Sequence, residues 1–408
     1  MANQLATIDN ITREAQRFAH EKGTFIGTVQ RQFDDEFGKA GRKIGSTLRI
    51  RKAEQFTVTE GSRAMDVQDS NEESDTLVLA TQDHVDMEFN SSEMLLSLDD
   101  VSKRKIEPAM KTLISKVESK FIQGVTKEIY NLVGTKAVHV GASGNTLALG
   151  QARARLSKYL APKDKMRSFQ LDSDVMANIT EGNKVLFTPD AEISKSFLEG
   201  FYGRNAGMNF FENERMYSHF NGDDVAGEVD FDGGATAIAE GGNSMNVDGL
   251  GTTVTEGSVF TVAGVYAVHP ETKDSYTFLQ QFVVVGTPTI GTNQGVITFS
   301  PAVYADGAKK NVTALPANGA AVTFFGDASN TTGYIQNLAY HKEAFAFVTG
   351  ELPLMGDSLR CVRKTQDGVS LRVWQQSDIV NDRMLLRIDM LYGWKTLRPE
   401  WAVRVSSG

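Results

Sequence analysis

The sequence carries a single cysteine, Cys361, so an intramolecular disulfide framework is excluded and a reducing birthplace fits. No run of 18 or more apolar residues exists, so no membrane-spanning helix is expected. The first twenty residues show no basic segment followed by an apolar core, and no signal peptide is expected. Positive charge is in deficit: 42 Lys and Arg stand against 51 Asp and Glu, a formal net of −9. A chain this acidic is not a global polyanion binder, although local basic patches stay open.

The constellations that carry chemistry are missing as well. The stretch from Gly38 to Thr47 has glycines and lysines, but it runs Gly45-Ser46-Thr47 with no lysine after the glycine, so it is not a phosphate loop. The six histidines, His20, His84, His139, His219, His269 and His341, are scattered, whereas a zinc site needs clustered His and Cys. No serine sits in a nucleophile elbow. Asp230-Phe231-Asp232-Gly233 opens like a calcium loop but lacks the later ligands, and reads as an acidic turn. Nothing argues for an enzyme, and no catalytic residue, metal or cofactor is expected.

What is present is a soluble globular composition, 41% hydrophobic and 23% charged, over 408 residues. That length suits two to three domains of about 150 residues each. No arginine occurs between Arg215 and Arg360. Within that gap Val225–Ile335 holds ten acidic and three basic residues, a net of −7. It is rich in Gly, Thr and Val. Short apolar runs (Val259 to Val262, Phe278 to Val285, Val296 to Phe299, Ala321 to Phe325) alternate with turn residues. Such spacing predicts an all-β sandwich or barrel. With helical patterning on both sides, two readings stand: a β domain inserted at a surface loop of a mixed host, or one large α+β domain with a β-rich half.

Upstream, Ile8, Ile11, Ala15 and Phe18 predict a helix over about Asp9 to Glu21, and Phe33 and Phe37 a second short one. A basic patch follows, Lys39, Arg42, Lys43, Arg49, Arg51 and Lys52, in which Leu48 and Ile50 alternate as in a strand. Then the sign inverts: Glu54 to Asp100 contains thirteen acids and one base. Val85, Met87 and Phe89 alternate with polar residues, a second half-buried strand. Together they predict a long hairpin with a basic entering arm and, around Glu72, Glu73 and Asp75, an acidic tip. An arm running from Arg51 to a turn near Met65 spans roughly 45 Å. The two charge clusters would then lie much further apart than the Debye length of about 8 Å. Either the charges merely keep the loop solvated, or the tip meets a basic surface of a neighbouring copy.

Next, Met110, Leu113, Ile114, Val117, Phe121, Val125, Ile129 and Leu132 keep a three–four spacing. They predict a helix from Ile106 to Leu132, roughly 40 Å long. Ser97 to Asp100 resembles its capping box, Pro108 marks its first turn or a kink, and Gly134 its stop.

Three further stretches carry a family resemblance: GSVFTVAGVYAVHPETKDSYTFLQQFVVVG (Gly257 to Gly286) with ITFSPAVYADGAKKNVTALPANGAAVTF (Ile297 to Phe324), QNLAYHKEAFAFVTGELPL (Gln336 to Leu354), and LRIDMLYGWKTLRPEWAVRV (Leu386 to Val405). In this order they resemble the major capsid (coat) protein of tailed bacteriophages, most closely the short-tailed Salmonella-phage type whose coat protein carries an inserted β-barrel.

The resemblance implies an α+β tailed-phage capsid fold. Its parts would be an N-terminal arm (1–44), an extended β-hairpin loop (45–96), a peripheral domain with a long spine helix (97–134), a central mixed domain with C-terminal strands (135–224 and 336–408) and an inserted all-β barrel domain (225–335). It implies a structural virion protein that self-assembles as hexamers and pentamers into an icosahedral shell. A scaffolding protein and a portal would be its partners. Double-stranded DNA would be enclosed without sequence-specific binding, no membrane would be involved, and assembly would take place in the bacterial cytoplasm. Candidate subunit-interface residues are Arg49, Arg51, Lys52, Glu72, Glu73, Asp75 and, in the family's bridging loop, Asp248. The rival readings are a secreted or fibre-type β-rich adhesin and a non-viral cargo-compartment shell.

Overall fold

The structure, a computed structural model, describes residues 12, 13, 15, 17, 24–31, 47–58, 61, 67, 73–90, 102–135, 138, 140, 147–182, 204, 205, 207–220, 226–231, 237–251, 253–291, 293–326, 333–356, 360–366, 368–381 and 383–407. They fall into two compact units. One comprises Met1–Lys52, Ser74–Phe121 and Phe345–Leu397, the other Ala53–Glu73, Ile122–Ala344 and Arg398–Gly408.

In the first unit, strands β1 (Thr47–Arg51) and β2 (Ser74–Val78) form an antiparallel ribbon. A larger sheet contains β3 (Thr81–Asn90), β16 (Phe345–Gly350), β17 (Arg360–Gln366), β18 (Val369–Asp378) and β19 (Arg383–Thr396), in the order β16-β19-β18-β17 with β3 also on β19. β17 and β18 pair up to Gln366↔Val369, and Gly368 (φ 76°) supplies a left-handed residue that so tight a hairpin needs.

Helix α1 (Thr24–Thr28) is anchored by Glu118, a buried carboxylate that accepts the backbone N–H of Phe25 and, at 3.4 Å, that of Ile26. The anchor ties α1 to helix α2 (Glu107–Glu128), whose stripe Met110, Leu113, Ile114, Val117, Phe121 and Val125 is buried as its spacing predicts. The helix is shorter than the expected span: 22 residues, about 33 Å. Pro108 is accommodated in its first turn, after a π-turn at Ser102–Ile106. Gly134 (φ 103°) is not the helix stop. It follows strand β4 (Leu132–Val133), and a Cβ there would lie 2.8 Å from the Ser406 carbonyl oxygen.

Two further expectations are corrected here. Val85, Met87 and the rest of β3 do not return along β1; they pair with β19, from Thr81↔Tyr392 to Asn90↔Arg383, and β2 is the partner of β1. And residues 345–397, expected with the central domain, form their sheet with β3 in the first unit. The expected helices at 9–21 and 33–37 lie largely outside the described residues, although Thr12, Arg13, Ala15 and Arg17 are helical. The hairpin tip at 60–75 and the capping box at 97–100 fall mostly or wholly outside them.

β19 and the β2–β3 connection approach so closely that only glycine fits at position 393: a Cβ would lie 2.1 Å from the Val78 carbonyl oxygen. Gly393→Ala should therefore cost about 1–3 kcal/mol through overpacking. Thermal denaturation checks this, and an unchanged midpoint would mean the connection shifts freely.

Asp83 on β3 accepts hydrogen bonds from Lys120 Nζ (2.7 and 2.8 Å) and Tyr392 Oη (2.6 Å). Lys120 is thus an ion-pair partner rather than a free surface lysine. Burial raises the Asp83 carboxyl's pKa, but these bonds and the charges of Lys120 and Lys116 outweigh it and hold it below the ordinary value. The folded state therefore binds this proton less tightly than the unfolded chain. The pair's stabilisation is complete above the unfolded pKa of about 4 and is lost as pH falls through the folded value. Asp83→Asn should lower stability at pH 7 yet make it less acid-sensitive below about pH 4, as urea titrations at both pH values would show.

The second unit has a seven-stranded sheet in the order β4-β20-β15-β5-β7-β6, with β8 also on β15. Its strands, besides β4, are β5 (Arg167–Leu171), β6 (Arg204–Asn205), β7 (Met208–Glu212), β8 (Tyr217–His219), β15 (Tyr334–His341) and β20 (Ala402–Ser407). Helices α3 (Leu147–Lys158) and α4 (Ser173–Gly182) cover it. Leu149, Ala152 and Leu156 of α3 and Val175 and Ile179 of α4 share a core with Phe169, Ala339, Val403 and Val405.

After β8 the chain leaves this sheet and returns at β15, and the two pair directly, Tyr334↔His219 to Gln336↔Tyr217. Between them runs a closed six-stranded barrel: β9 (Ala226–Val229), β10 (Gly242–Asp248), β11 (Val259–Val268), β12 (Ser275–Val284), β13 (Gln294–Val303) and β14 (Ala321–Phe324). Alternation turns Phe260, Phe282, Phe299 and Phe324 inward into one aromatic core, and closure leaves no strand edge unpaired.

Candidate assembly surfaces

In the β1–β2 ribbon, alternation faces Leu48 and Ile50 to a small core with Leu77, Ala346 and Val348, and leaves Arg49 and Arg51 exposed. Register places Arg49 opposite Thr76, Ile50 opposite Asp75 and Arg51 opposite Ser74. Asp75 therefore sits in the return strand rather than at a distant tip, and its carboxylate lies 3.0 Å from Lys52 Nζ. One member of each charge cluster, Lys52 and Asp75, thus meet at the root of the loop, against the expectation that some 45 Å part the clusters. The cause is register: the return strand begins at Ser74 opposite Arg51, so Asp75 belongs to the ribbon and not to the loop beyond it.

Glu73 also has a partner within the subunit: Lys309, in the connection between β13 and β14. The hydrogen bond that Lys309 donates to the Glu73 carboxylate is the leading cause that raises the pKa of Lys309. Sequence reasoning missed Lys309, although it is one of three lysines in the acidic stretch. Glu72 lies outside the described residues. Asp248 ends β10 opposite Gln294 and Glu228, and its carboxylate accepts its neighbour Gly249's N–H at 2.7 Å. The structure thus brings Lys52 and Asp75 together in one unit and, in the other, places Glu73 on Lys309 and Asp248 at the end of β10.

The loop has a second property that charge counting passed over. Past Arg51 the chain carries Phe56, 63% exposed, and Val58, 92% exposed, with Val67 79% exposed further along. Large apolar side chains exposed within a few residues of one another mark a contact surface more often than an isolated one does. Among the described residues no group of three or more His, Cys, Asp and Glu could hold a metal ion, and no helix is long and apolar enough to cross a membrane, which says nothing of strands.

A two-stranded loop, a long helix in the unit of a five-stranded sheet, a mixed domain and a closed barrel make up the architecture of a tailed-phage coat subunit, a structural protein of the icosahedral shell. The model of the family described as "P22 coat protein - gene protein 5" matches residues 76–405, and the chain belongs to that family. It is a phage major capsid protein, and its place is the virion capsid.

Among solved structures it is similar to a chain from Mycobacterium phage Che8 (TM-score 0.47, 10% identity, 89% of this chain and 85% of that one). It is similar too to the capsid of the cyanophage P-SCSP1u (TM-score 0.44, 10% identity, 91% and 86%). A virus-like particle from Pyrococcus furiosus is a third (TM-score 0.40, 8% identity, 97% and 98%). A search of curated protein sequences finds no match. Family membership overturns the adhesin reading.

Proposed function

We propose that this subunit builds a DNA-filled shell in the bacterial cytoplasm, together with an internal scaffolding protein and a portal, and that the loop between β1 and β2 sets the register between neighbouring copies. No catalytic step is assigned to it. The observation that carries the loop's role is the exposure of Phe56 and Val58. Covering each by a neighbour would stabilise the contact by roughly 1.5–3 kcal/mol, and a shell repeats that contact in every copy. With Glu73 and Asp75 engaged inside the subunit, the apolar residues carry the affinity, while Arg49, Arg51 and Glu72 steer the encounter.

The barrel fits a short-tailed, Salmonella-phage-type insertion: the pairing of β8 with β15 brings its two ends side by side, as an insertion requires.

Phe56→Ser with Val58→Ser should leave the melting of the free subunit unchanged and abolish regular shells in negative-stain micrographs of the protein expressed with its scaffold. Normal shells from the double variant would remove the loop's role. Shells that protect no nucleic acid from nuclease, when made by the unaltered protein during infection, would remove the genome.

A further inference from the structure

The β6 end of the seven-stranded sheet gathers four exposed cations: Arg153 on α3, Lys163 and Lys165 in the turn from α3 to β5, and Arg204 on β6. The topology brings them together. Asn209, opposite both Arg204 and Ser168 in the sheet, donates to the Lys165 carbonyl at 3.1 Å. A Cβ at Gly207, in the β6–β7 turn, would lie 3.8 Å from the Arg153 Nε. None of the four makes an ion pair with a described residue. The one acid in the turn, Asp164, is already taken, by His341 Nε2 at 3.1 Å and the N–H of Met166 at 3.1 Å.

The turn that carries Lys163 and Lys165 is fixed from beneath. Buried Arg167 donates to the Pro162 carbonyl at 2.9 Å, the Ala161 carbonyl and Ser157 Oγ at 3.2 Å. Met166, the residue after Lys165, is 49% exposed. An exposed methionine in a turn held from beneath, on a surface that also carries two arginines, offers residue types enriched at protein interfaces.

The same chain carries the complementary charge elsewhere. On the barrel, Glu228 of β9 and Asp248 of β10 face each other in register, both exposed. Like charges placed directly across a strand pair repel, and a cation brought from outside relieves this. The barrel segment's own bases, Lys273, Lys309 and Lys310, leave both unpaired: neither acid makes an ion pair with a described residue.

We propose that Arg153, Lys163, Lys165 and Arg204, together with Met166, dock onto the barrel of a second copy at Glu228 and Asp248. The inference rests on self-assembly but not on the loop contact. A polynucleotide is the poorer occupant. It must approach against the field of a chain of net charge −9, and phosphate gains nothing from Met166. A patch that meets a different patch on the next copy makes a heterologous contact, the kind that closes rings.

The test is charge reversal with rescue. Arg153→Glu with Lys165→Glu should slow assembly of the full chain, followed by light scattering, by about tenfold at low salt and less at high salt. Glu228→Lys with Asp248→Lys should do the same, and combining all four reversals should restore the rate to within about threefold of the unaltered protein. Arg153→Gln with Lys165→Gln, which only neutralises, serves if the reversal misfolds and should slow assembly by a smaller factor. Assembly that neither pair of changes slows, or a quadruple variant slower than either double, overturns the proposal. So does a patch variant that assembles normally but no longer retains a labelled DNA oligonucleotide, which would assign the patch to nucleic acid instead.

Discussion

Phe121→Ala should destabilise the subunit by about 3–5 kcal/mol and divert it from assembly to aggregation. The ring is fully buried and touches three others: Phe25 of α1 edge-on at 4.9 Å, Phe347 of β16 at 5.2 Å and Trp394 of β19 at 5.9 Å. One side chain therefore joins a short N-terminal helix, the long helix and two sheet strands that are more than 200 residues further along the chain. Truncation leaves a cavity against rings that cannot all follow it, because Phe25 is held by Glu118 and Phe347 by its ladder to Trp394. A domain stable by 5–15 kcal/mol loses a large share of that margin. Thr112→Ala is the control: Thr112 is exposed, its hydroxyl bonds only the Pro108 carbonyl, and the change should stay within about 0.5 kcal/mol. Chemical denaturation of both variants decides the matter, and equal losses would mean that the buried stripe does not hold this unit together.

The stripe was legible because a helix declares its period locally: each residue's face is set by neighbours three and four positions away. The barrel was legible for a similar reason, since strand alternation and turn residues repeat within a dozen positions. Pairing was not. Val85 and Met87 read correctly as half-buried strand residues, yet nothing in their alternation names Ile388 and Leu386, about 300 residues on, as partners. The hairpin was therefore drawn to the nearest alternating segment, and its charge clusters were set too far apart. The helix end failed for another reason. Ile129 and Leu132 fit the helical period, but their polar groups are claimed from elsewhere: Gln281 pairs its amide with both the N–H and the carbonyl of Leu132 at 2.9 Å, and Arg404 takes the carbonyl of Ile129. Tertiary partners thus overrode a local pattern. Among the candidate interface residues the sign of charge was legible, but neither the place of Asp75 in the return strand nor the partners that Glu73 and Asp75 have in their own subunit were.

Arg404 is the second residue on which stability should hinge. Every residue of β20 from Ala402 to Ser407 is buried, so a charged side chain within it is an anomaly visible in the strand WAVRV once that burial is known. Among the described residues its guanidinium makes no ion pair with a carboxylate. It donates instead through Nε (2.8 Å) and Nη2 to the Ile129 carbonyl just beyond the end of α2, and through Nη1 to the Gly257 carbonyl at the entry to β11 (2.9 Å). Burial pushes its pKa down to about 9, which still leaves it charged at neutral pH. A cation at the negative end of a helix dipole, hydrogen-bonded to carbonyls that have few other donors, recovers part of its desolvation cost. Removing it reverses the balance: two buried carbonyls lose their donors at about 1–3 kcal/mol each. Arg404→Ala adds a cavity, and a total loss of about 3–5 kcal/mol is expected. Arg404→Met, which keeps the aliphatic stem and removes the donors, should recover only the cavity part. The loss should also have a location. Hydrogen exchange should quicken first at residues 129–133 and at 257–259, where the helix end and the barrel entry share the one side chain, before it quickens in the barrel core. An Arg404→Met protein within about 1 kcal/mol of the unaltered one, with exchange unchanged at those two segments, would show that the guanidinium is merely tolerated there.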